Sequence, residues 1–320
     1  MSTAPATPQT TTQQYLRQCT LLISNKAGQA LDLSQLRIKF NVKMTGTSMP
    51  NTADIRVYNI EENQAYQIQK GFTKVVLQGG YQANFGVVFQ GNIKQVLVGR
   101  ESATDTYIDI IAGDGDLAYN FAIVNRTLAK GSLPTDQVNT ASAAMTATGG
   151  TTLLAPTNMP QTQLPRAKVM YGAANKYMKQ VGKNTKHSWS IQNGQIQFVP
   201  INGYLKGEAV VLTSKTGMVG TPQQTNIGVN IKCLMNPLIR VGGRVQINNK
   251  SIAGYKINLD VPGSPANIPA PLRADGMYYV WTIGHSGDTR GNDPWYTDLI
   301  CIATSVSSNP LNSTLTSYSG

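Results

Sequence analysis

The two histidines and the few acidic side chains are the groups of this chain best suited to catalysis or metal binding. His187 stands beside Lys186 at the start of a predicted hairpin strand, and His285 ends another strand near Asp288. We therefore expect surface or strand-end histidines rather than a catalytic pair. The motifs HExxH, GxSxG, SxxK, GxGxxG and Walker A are all missing from the sequence.

Two groups of carboxylates deserve a separate test. Asp114 and Asp116 flank a glycine in AGDGD, and such a pair can hold a calcium or magnesium ion. No EF-hand pattern follows, so a turn with Asx hydrogen bonds is favoured. Glu61, Glu62 and Glu101 could supply a glycosidase pair. Nothing in the sequence places two of them across a cleft, and helix-start and loop positions explain them.

The tryptophans and cysteines are also best explained as packing residues. The residues concerned are Trp189, Trp281, Trp295, Cys19, Cys233 and Cys301. The tryptophans lie on or next to predicted strands, which favours core or interface packing over a sugar platform. The cysteines are odd in number and form no CxxC pair, so we expect free, buried thiols rather than a disulfide framework or zinc site. No catalytic constellation emerges and no cofactor is expected, which makes a structural or assembly role the default.

The composition is that of a sheet-rich chain. Of its 320 residues, 41% are hydrophobic and only 13% are charged, and there are 30 glycines and 16 prolines. This excludes a coiled coil and a charge-rich disordered protein. No apolar run approaches the roughly 18 residues of a membrane span. The N-terminus lacks the features of a secretory signal, so we expect a soluble protein made in a cytoplasm.

The positive charge is concentrated in the middle of the chain. Residues 161–260 hold 13 basic and 2 acidic side chains. Their net charge of +11 equals that of the whole chain. A solvated basic face, a surface for an acidic partner protein and a nucleic-acid contact are all compatible with this pattern. The candidate contact residues are Arg166, Lys176, Lys179, Lys183 and Lys186.

Hydrophobic periodicity predicts β-structure in the first third. Apolar residues alternate with polar ones from Leu36 to Met44, which is typical of a half-buried strand. A short helix is predicted over Glu61–Lys70. A longer strand over Val87–Val98 would place Phe89, Ile93 and Leu97 on one face, with a bulge at Gly91. Together these elements predict a small barrel or sandwich with a plugging helix.

The middle of the chain predicts helices and a hairpin, and the last third predicts strands again. One helix opens near Ser132 and buries Val138, Ala141 and Met145. A second runs over 167–181, with Met170 in its apolar stripe and Lys176, Lys179 and Lys183 on another face. Asn193-Gly194 predicts a tight hairpin turn. Later strand candidates are Val210–Leu212, Gly228–Leu234, Arg244–Ile247, Gly254–Asp260, Met277–His285 and Thr297–Val306, and Val261–Pro271 is a predicted loop.

Several motifs resemble the hubs of contractile phage tail baseplates and related tail assembly proteins. In Gly207–Asn249 they are Thr-Gly-Met followed by Val-Gly-x-Pro, then the Leu234-Met-Asn-Pro237 turn and Gly-Gly-Arg-Val-x-Ile-Asn-Asn. In Leu36–Asn120 they are ADIRVYNI, a short helix ending in Lys-Gly, VVLQGGY, VVFQGNI and DTYIDIIAGDGD. The likeness covers under half of the chain.

The resemblance implies a mainly β (α+β) fold with two tail-tube-like β-barrel domains and a small helical and hairpin insert between them. The expected limits are a flexible arm 1–14, a first barrel 15–130, a middle domain 131–205, a second barrel 206–306 and a flexible tail 307–320.

The implied function is a non-enzymatic virion protein that forms a homotrimeric ring in the baseplate. The ring would adapt the six-fold tail tube to the three-fold spike, contact tube, spike and baseplate proteins, and let DNA pass without specific binding. The basic segment would then meet an acidic partner. Alternatives are a distal-tail or tube-initiator protein, a nucleic-acid-contacting protein, and a tail-associated peptidoglycan hydrolase.

Overall fold

The computed structural model describes residues 15–201, 203–254, 269–290 and 294–303, and it is dominated by antiparallel strands. The predicted arm 1–14 and tail 307–320 lie outside these residues, as does most of the predicted loop 261–271. A body of strands from both ends of the chain carries an insert of helices and short strands. The mainly β fold is thus confirmed, and so is the insert between its two β-rich parts.

The first β-rich part is an antiparallel sheet with one helix beside it. The central strand β3 (Ile38–Thr45) alternates strictly between buried apolar and exposed polar residues, as its sequence predicts. The predicted short helix forms and buries Ala65 and Ile68. The elements are β1 (Arg17–Asn25), β2 (Ala30–Asp32), β3, β4 (Thr52–Tyr58), α1 (Glu62–Gly71), β5 (Phe72–Tyr81), β6 (Asn84–Arg100) and β7 (Thr106–Gly113).

Strand β6 departs from its predicted face because it carries two register shifts. The unpaired extra residues are Val88, opposite β5, and Lys94, opposite β7. A one-residue insertion turns the following side chains to the other face, so Val96 is buried while Leu97 is exposed. The bulge predicted at Gly91 is wrong: that glycine pairs regularly with Val75.

The insert has its own hydrophobic core, separate from that of the body. The core includes Val138, Ala141 and Met145 of the helix predicted near Ser132, all fully buried. The hairpin predicted at Asn193-Gly194 also forms. The elements are α2 (Asp116–Phe121), β8 (Ile123–Leu128), α3 (Pro134–Gly149), β9 (Thr152–Leu153), β10 (Lys168–Ala173), α4 (Ala174–Thr185), β11 (His187–Gln192) and β12 (Gln195–Pro200).

The helix predicted over 167–181 is wrong in its first half. Residues 168–173 form β10, which pairs antiparallel with β8, and the helix begins only at Ala174. Met170 is buried, as its place in the predicted helical stripe required, but it is buried from a strand. Gly172, whose φ is +135°, lies just before the helix, a backbone position that glycine adopts without strain.

The last β-rich part contains one strand that the sequence did not reveal. Strand β14 has a glycine and a proline within it, which hide the alternating pattern. The predicted strand 254–260 lies almost wholly outside the described residues, as do 304–306 of the last one. The strands are β13 (Val210–Val211), β14 (Met218–Gln224), β15 (Val229–Leu234), β16 (Arg244–Gln246), β17 (Met277–Asp288) and β18 (Trp295–Ile302), with 3-10 turns at Ser214–Thr216 and Asn249–Ser251.

The two β-rich parts share one sheet and one core. Strand β17 pairs antiparallel with β3 from Thr282 opposite Thr45 to Asp288 opposite Lys39. The main path of the sheet is β14-β15-β18-β17-β3-β4-β7-β6-β5-β1-β2. Phe40 meets the ring of Trp295 edge-on at 5.4 Å between centroids, and Trp295 Nε1 donates to the carbonyl of Gly80 at 3.2 Å. The domain limits given above stay a prediction.

Candidate interaction surface

The five basic residues singled out from the sequence are all exposed on the insert. Lys176, Lys179 and Lys183 lie on the outer face of α4, and the opposite face buries Met178 and Val181 in the insert core. Lys186 follows the helix in a left-handed conformation. Arg166 precedes β10 and is exposed as well. We call these five residues the basic face.

The insert is almost free of negative charge. Between Leu117 and Gly207 the sequence has nine lysines and arginines but a single acid, Asp136. That carboxylate accepts a hydrogen bond from the backbone N–H of Leu133 at 2.7 Å at the start of α3, so it serves the helix. The insert therefore presents a positive potential to its surroundings.

Lys168 widens this positive region, although no sequence pattern pointed to it. Its Nζ donates to Oε1 of Gln137 on α3 at 2.7 Å and to Oε1 of Gln180 on α4 at 3.2 Å. Partial burial lowers the pKa of this ammonium. The residue was missed because its strand was predicted as helix.

The AGDGD turn joins the insert to the body. Asp114 is fully buried, and its carboxylate accepts from the backbone N–H groups of Asn193 at 2.6 Å and Gly194 at 2.8 Å. The side chain of Asn51 donates to the same carboxylate at 3.3 Å and to the carbonyl of Ile191 at 2.8 Å. The predicted turn forms, but Asp114 bonds a distant hairpin rather than making a local Asx contact.

Burial and hydrogen bonding act on Asp114 in opposite directions. Loss of solvent raises the pKa of its carboxyl to about 6, while the N–H groups of Asn193 and Gly194 and the Asn51 amide lower it. Asp116 does not join Asp114 in a cation site: its Oδ1 accepts from Lys94 Nζ at 2.8 Å and from Asn120 at 3.1 Å. In the described part of the chain, no three metal-ligating side chains cluster.

Further polar contacts fix the β11–β12 hairpin to the body. Ser188 Oγ donates to the carbonyl of Gly46, and Gln192 Nε2 donates to the carbonyl of Thr45, both at 2.7 Å. On the other side, Gln197 Nε2 donates to the carbonyl of Val241 at 3.2 Å. Directional hydrogen bonds thus help to orient the basic face relative to the sheet, beside a small apolar cluster of Val199, Tyr279 and Ile302.

The sequence led us to expect histidines at the surface or at strand ends, but both histidines are buried. His187 begins β11 but is buried, with Nδ1 2.7 Å from the carbonyl oxygen of Thr185 and Nε2 3.0 Å from that of Thr157. His285 is buried within β17, and its Nδ1 lies 2.9 Å from Thr297 Oγ1. Burial lowers the pKa of His285 to about 4. Flanking polar residues suggested exposure, but the pairing of β17 with both β3 and β18 covers the ring.

The remaining candidate residues are tryptophans and cysteines, which pack in the fold, and glutamates, which do not line a common groove. Trp189 and Trp295 are buried, which confirms their predicted packing role. The three cysteines are free thiols; Cys233 and Cys301 are buried as predicted, whereas Cys19 is only half-buried. Glu62 lines a groove of about 560 Å³ beside α1, of which Glu101 is not a lining residue. Across the described residues, no helix is both long and apolar enough to cross a membrane.

Solved structures with the same fold include two tail proteins and a component of a secretion system. A 43 kDa tail protein of prophage MuSo2 from Shewanella oneidensis matches 89% of this chain and 97% of its own, with a TM-score of 0.55 and 7% identity. A tail protein from Neisseria meningitidis MC58 matches 91% and 98%, with a TM-score of 0.56 and 9% identity.

A third structure is the Escherichia coli protein c3393, a component of the type VI secretion system with structural similarity to the T4 tail proteins gp27 and gp5. It covers 84% of this chain and 74% of its own, with a TM-score of 0.51 and 10% identity. No curated protein sequence matches the chain significantly.

The sequence itself matches a family model, described as Baseplate hub gp41, over residues 18–254. This match covers most of the chain, including the first β-rich part, the whole insert and the Leu-Met-Asn-Pro turn. The resemblance drawn from the motifs is therefore confirmed. The chain belongs to the Baseplate hub gp41 family, and its role is that of a structural hub protein of a phage tail baseplate.

Proposed function

We propose that three copies of this chain close into a ring that adapts a six-fold tail tube to a three-fold spike and lines part of the central channel. The observation that carries the proposal is the pair of β-rich parts, β1–β7 and β13–β18, within one baseplate hub chain. Two such parts in each of three copies supply six sheet segments around an axis. A closed ring also covers the edge strands β2 and β14 that end the sheet path.

Sedimentation of the purified chain tests this ring. The proposal predicts a species with three times the 34.5 kDa chain mass, and images of it should show a central hole of duplex width. A chain that stays monomeric at every concentration, and also stays monomeric when tail tube protein is added, would contradict it.

We also propose that the hub has no catalytic activity of its own. Both histidines are held inside the fold by main-chain or threonine oxygens, and Glu62 is the only carboxylate among the residues lining its groove. A glycosidase needs two carboxyl groups facing each other across the bond to be cleaved. A zymogram with peptidoglycan decides the point, since a cleared zone at the position of this chain would identify it as an enzyme.

The basic face is proposed to contact an acidic tube, spike or baseplate protein. Its support is the exposure of all five residues, which lie in the stretch Leu117–Gly207 with its single acid. We further propose that the protein is made in the host cytoplasm, ends up in the virion tail and passes DNA without binding it specifically. Rising salt should weaken the protein association. A gel shift that persists at high salt would instead favour a nucleic-acid contact.

A further inference from the structure

The two-stranded ribbon of β8 and β10 has one apolar face that nothing in the described structure covers. Val124 and Met170 point into the insert core, whereas Ile123, Val169 and Tyr171 occupy the opposite face. These three side chains are 66%, 70% and 74% exposed. Apolar side chains so exposed on one strand pair are typical of an interaction surface.

The same ribbon has a bare edge. The hydroxyl of Tyr177 accepts from the N–H of Tyr171 at 2.7 Å and donates to its carbonyl at 3.1 Å, so these groups point away from β8. Tyr171 is opposite Asn125, and in an antiparallel pair the main-chain groups of Asn125 must then point away from β10.

By the same alternation, Ile123 and Thr127 on β8 also direct their N–H and C=O groups outward. Among the described residues no main-chain or side-chain group bonds to this edge. One edge of the ribbon is therefore covered by Tyr177, and the other can accept a further strand.

The charges around the ribbon indicate what kind of strand could add to its free edge. The end where β8 finishes and β10 begins carries Arg126, Lys130, Arg166 and Lys168, and the N–H of Gly131 donates to the carbonyl of Leu164 there at 2.9 Å. A second copy of the ribbon would bring like charges together. A bilayer would leave the edge N–H and C=O groups unpaired in hydrocarbon, and duplex DNA offers no strand to pair with them.

We propose that the β8–β10 ribbon binds an extended acidic segment of a partner protein, which adds as a third strand along β8 and covers Ile123, Val169 and Tyr171. The inference rests on the proposed hub role only in taking the partner to be another tail protein. Alternating apolar and acidic residues fit the site, because a strand directs successive side chains to opposite sides.

The test uses a short fluorescent peptide that alternates valine with glutamate, and a control peptide with lysine in place of glutamate. At low salt the glutamate peptide should bind the full chain and the lysine peptide should not. A double variant, V169T with Y171T, should bind about tenfold more weakly. The matched control is L97T, which changes an exposed apolar residue of β6 and should bind like the parent. Melting temperatures of the variants show that they remain folded.

Amide hydrogen exchange tests the strand addition separately. The bound glutamate peptide should slow exchange at Ile123, Asn125 and Thr127. Equal binding of both peptides, or binding without this protection, would overturn the proposal. So would failure of the glutamate peptide to bind while vesicles of phosphatidylglycerol bind, since that would make the ribbon a membrane contact. The peptide test needs no ring, so its outcome and that of the sedimentation experiment are distinguishable.

Discussion

The body and the insert use their charged residues in different ways. In the body, charges link strands to each other: Arg37 reaches Asp288 at 2.7 Å, and Arg56 reaches Asp109 at the same distance. In the insert, Asp136 serves a helix start and the lysines of α4 face outward. Charged residues of the body thus pair with one another, whereas most of the positive charges of the insert face outward.

The two regions also differ in how they are held. The body is one sheet around one core, while the insert has a second core. The insert meets the body through hydrogen bonds around Asp114 and through a small apolar cluster of Val199, Tyr279 and Ile302. A continuous apolar core suits the wall of the proposed ring, which would have to keep its shape. The hydrogen bonds of the junction are directional, so they can fix the insert at one angle.

The largest effect is expected from the core of the body. F40A removes a buried ring that packs against Trp295, where the two β-rich parts meet. We expect a loss of about 3–5 kcal/mol in the free energy of unfolding, measured by urea denaturation. F121A, which truncates an exposed ring in the insert, should change it by less than about 0.5 kcal/mol. Equal losses would remove the contrast between core and surface.

A smaller loss is expected at the junction. D114A leaves the N–H groups of Asn193 and Gly194 without their acceptor in a buried place, so we expect a loss of about 1–3 kcal/mol. Hydrogen exchange at these two amides should accelerate. The control D116A breaks a contact with the half-exposed Lys94, for which we expect at most about 1 kcal/mol. A D114A protein as stable as the parent would show that the hairpin is held by its other contacts.

The pH dependence of stability separates junction from body most sharply. Asp114 has a raised pKa of about 6, so its protonated carboxyl contributes fully to the free energy of unfolding below its unfolded pKa. This contribution is lost as pH rises from about 4 to 6. His285 has a lowered pKa of about 4, so its contribution is full above its unfolded pKa and is lost as pH falls from about 6.5 to 4. As pH rises, the two groups therefore change the free energy of unfolding in opposite directions.

Urea denaturation between pH 4 and 6.5 can resolve these slopes. In D114N only the effect of His285 should remain, so the free energy of unfolding should rise with pH by up to about 1.4 kcal/mol per pH unit. In H285Q only the effect of Asp114 should remain, so the free energy of unfolding should fall with pH by a similar amount. The double variant should lose both slopes. Parallel profiles for the two single variants would contradict the opposite assignments.

The smallest effect on stability is expected on the basic face. K176Q, K179Q and K183Q together should change the free energy of unfolding by less than about 0.5 kcal/mol, since all three side chains are exposed. They should nevertheless weaken association with acidic tail partners at low salt. The exposed body lysines in K39Q, K43Q and K74Q are the matched control. If both triple variants weaken association equally, net charge and not the basic face is responsible.

The sequence predicted those features that depend on neighbouring residues. The strand at Ile38–Thr45, the short helix after it and the Asn-Gly hairpin follow from period and turn chemistry, and they form as expected. The helix at 167–181 failed because Met170 fits the apolar stripe of a helix, whereas pairing with β8 decides its structure.

The missed features depend on partners far away in the chain. Asp114 bonds amides about 80 residues later, so no local pattern could show its role as a junction. His285 is buried by strands from both ends of the chain. The lysines of α4 were correctly placed on an exposed face, because their spacing sets their side of the helix whichever residue begins it.

The threefold ring that we propose around the tail channel can be observed in the intact baseplate. A reconstruction of the isolated baseplate by electron microscopy, computed without imposed symmetry, tests it most directly. The proposed ring requires three copies of the chain around the axis, with β1–β7 and β13–β18 alternating as six sheet segments. Six copies that each contribute one segment, or a single copy off the axis, would contradict it.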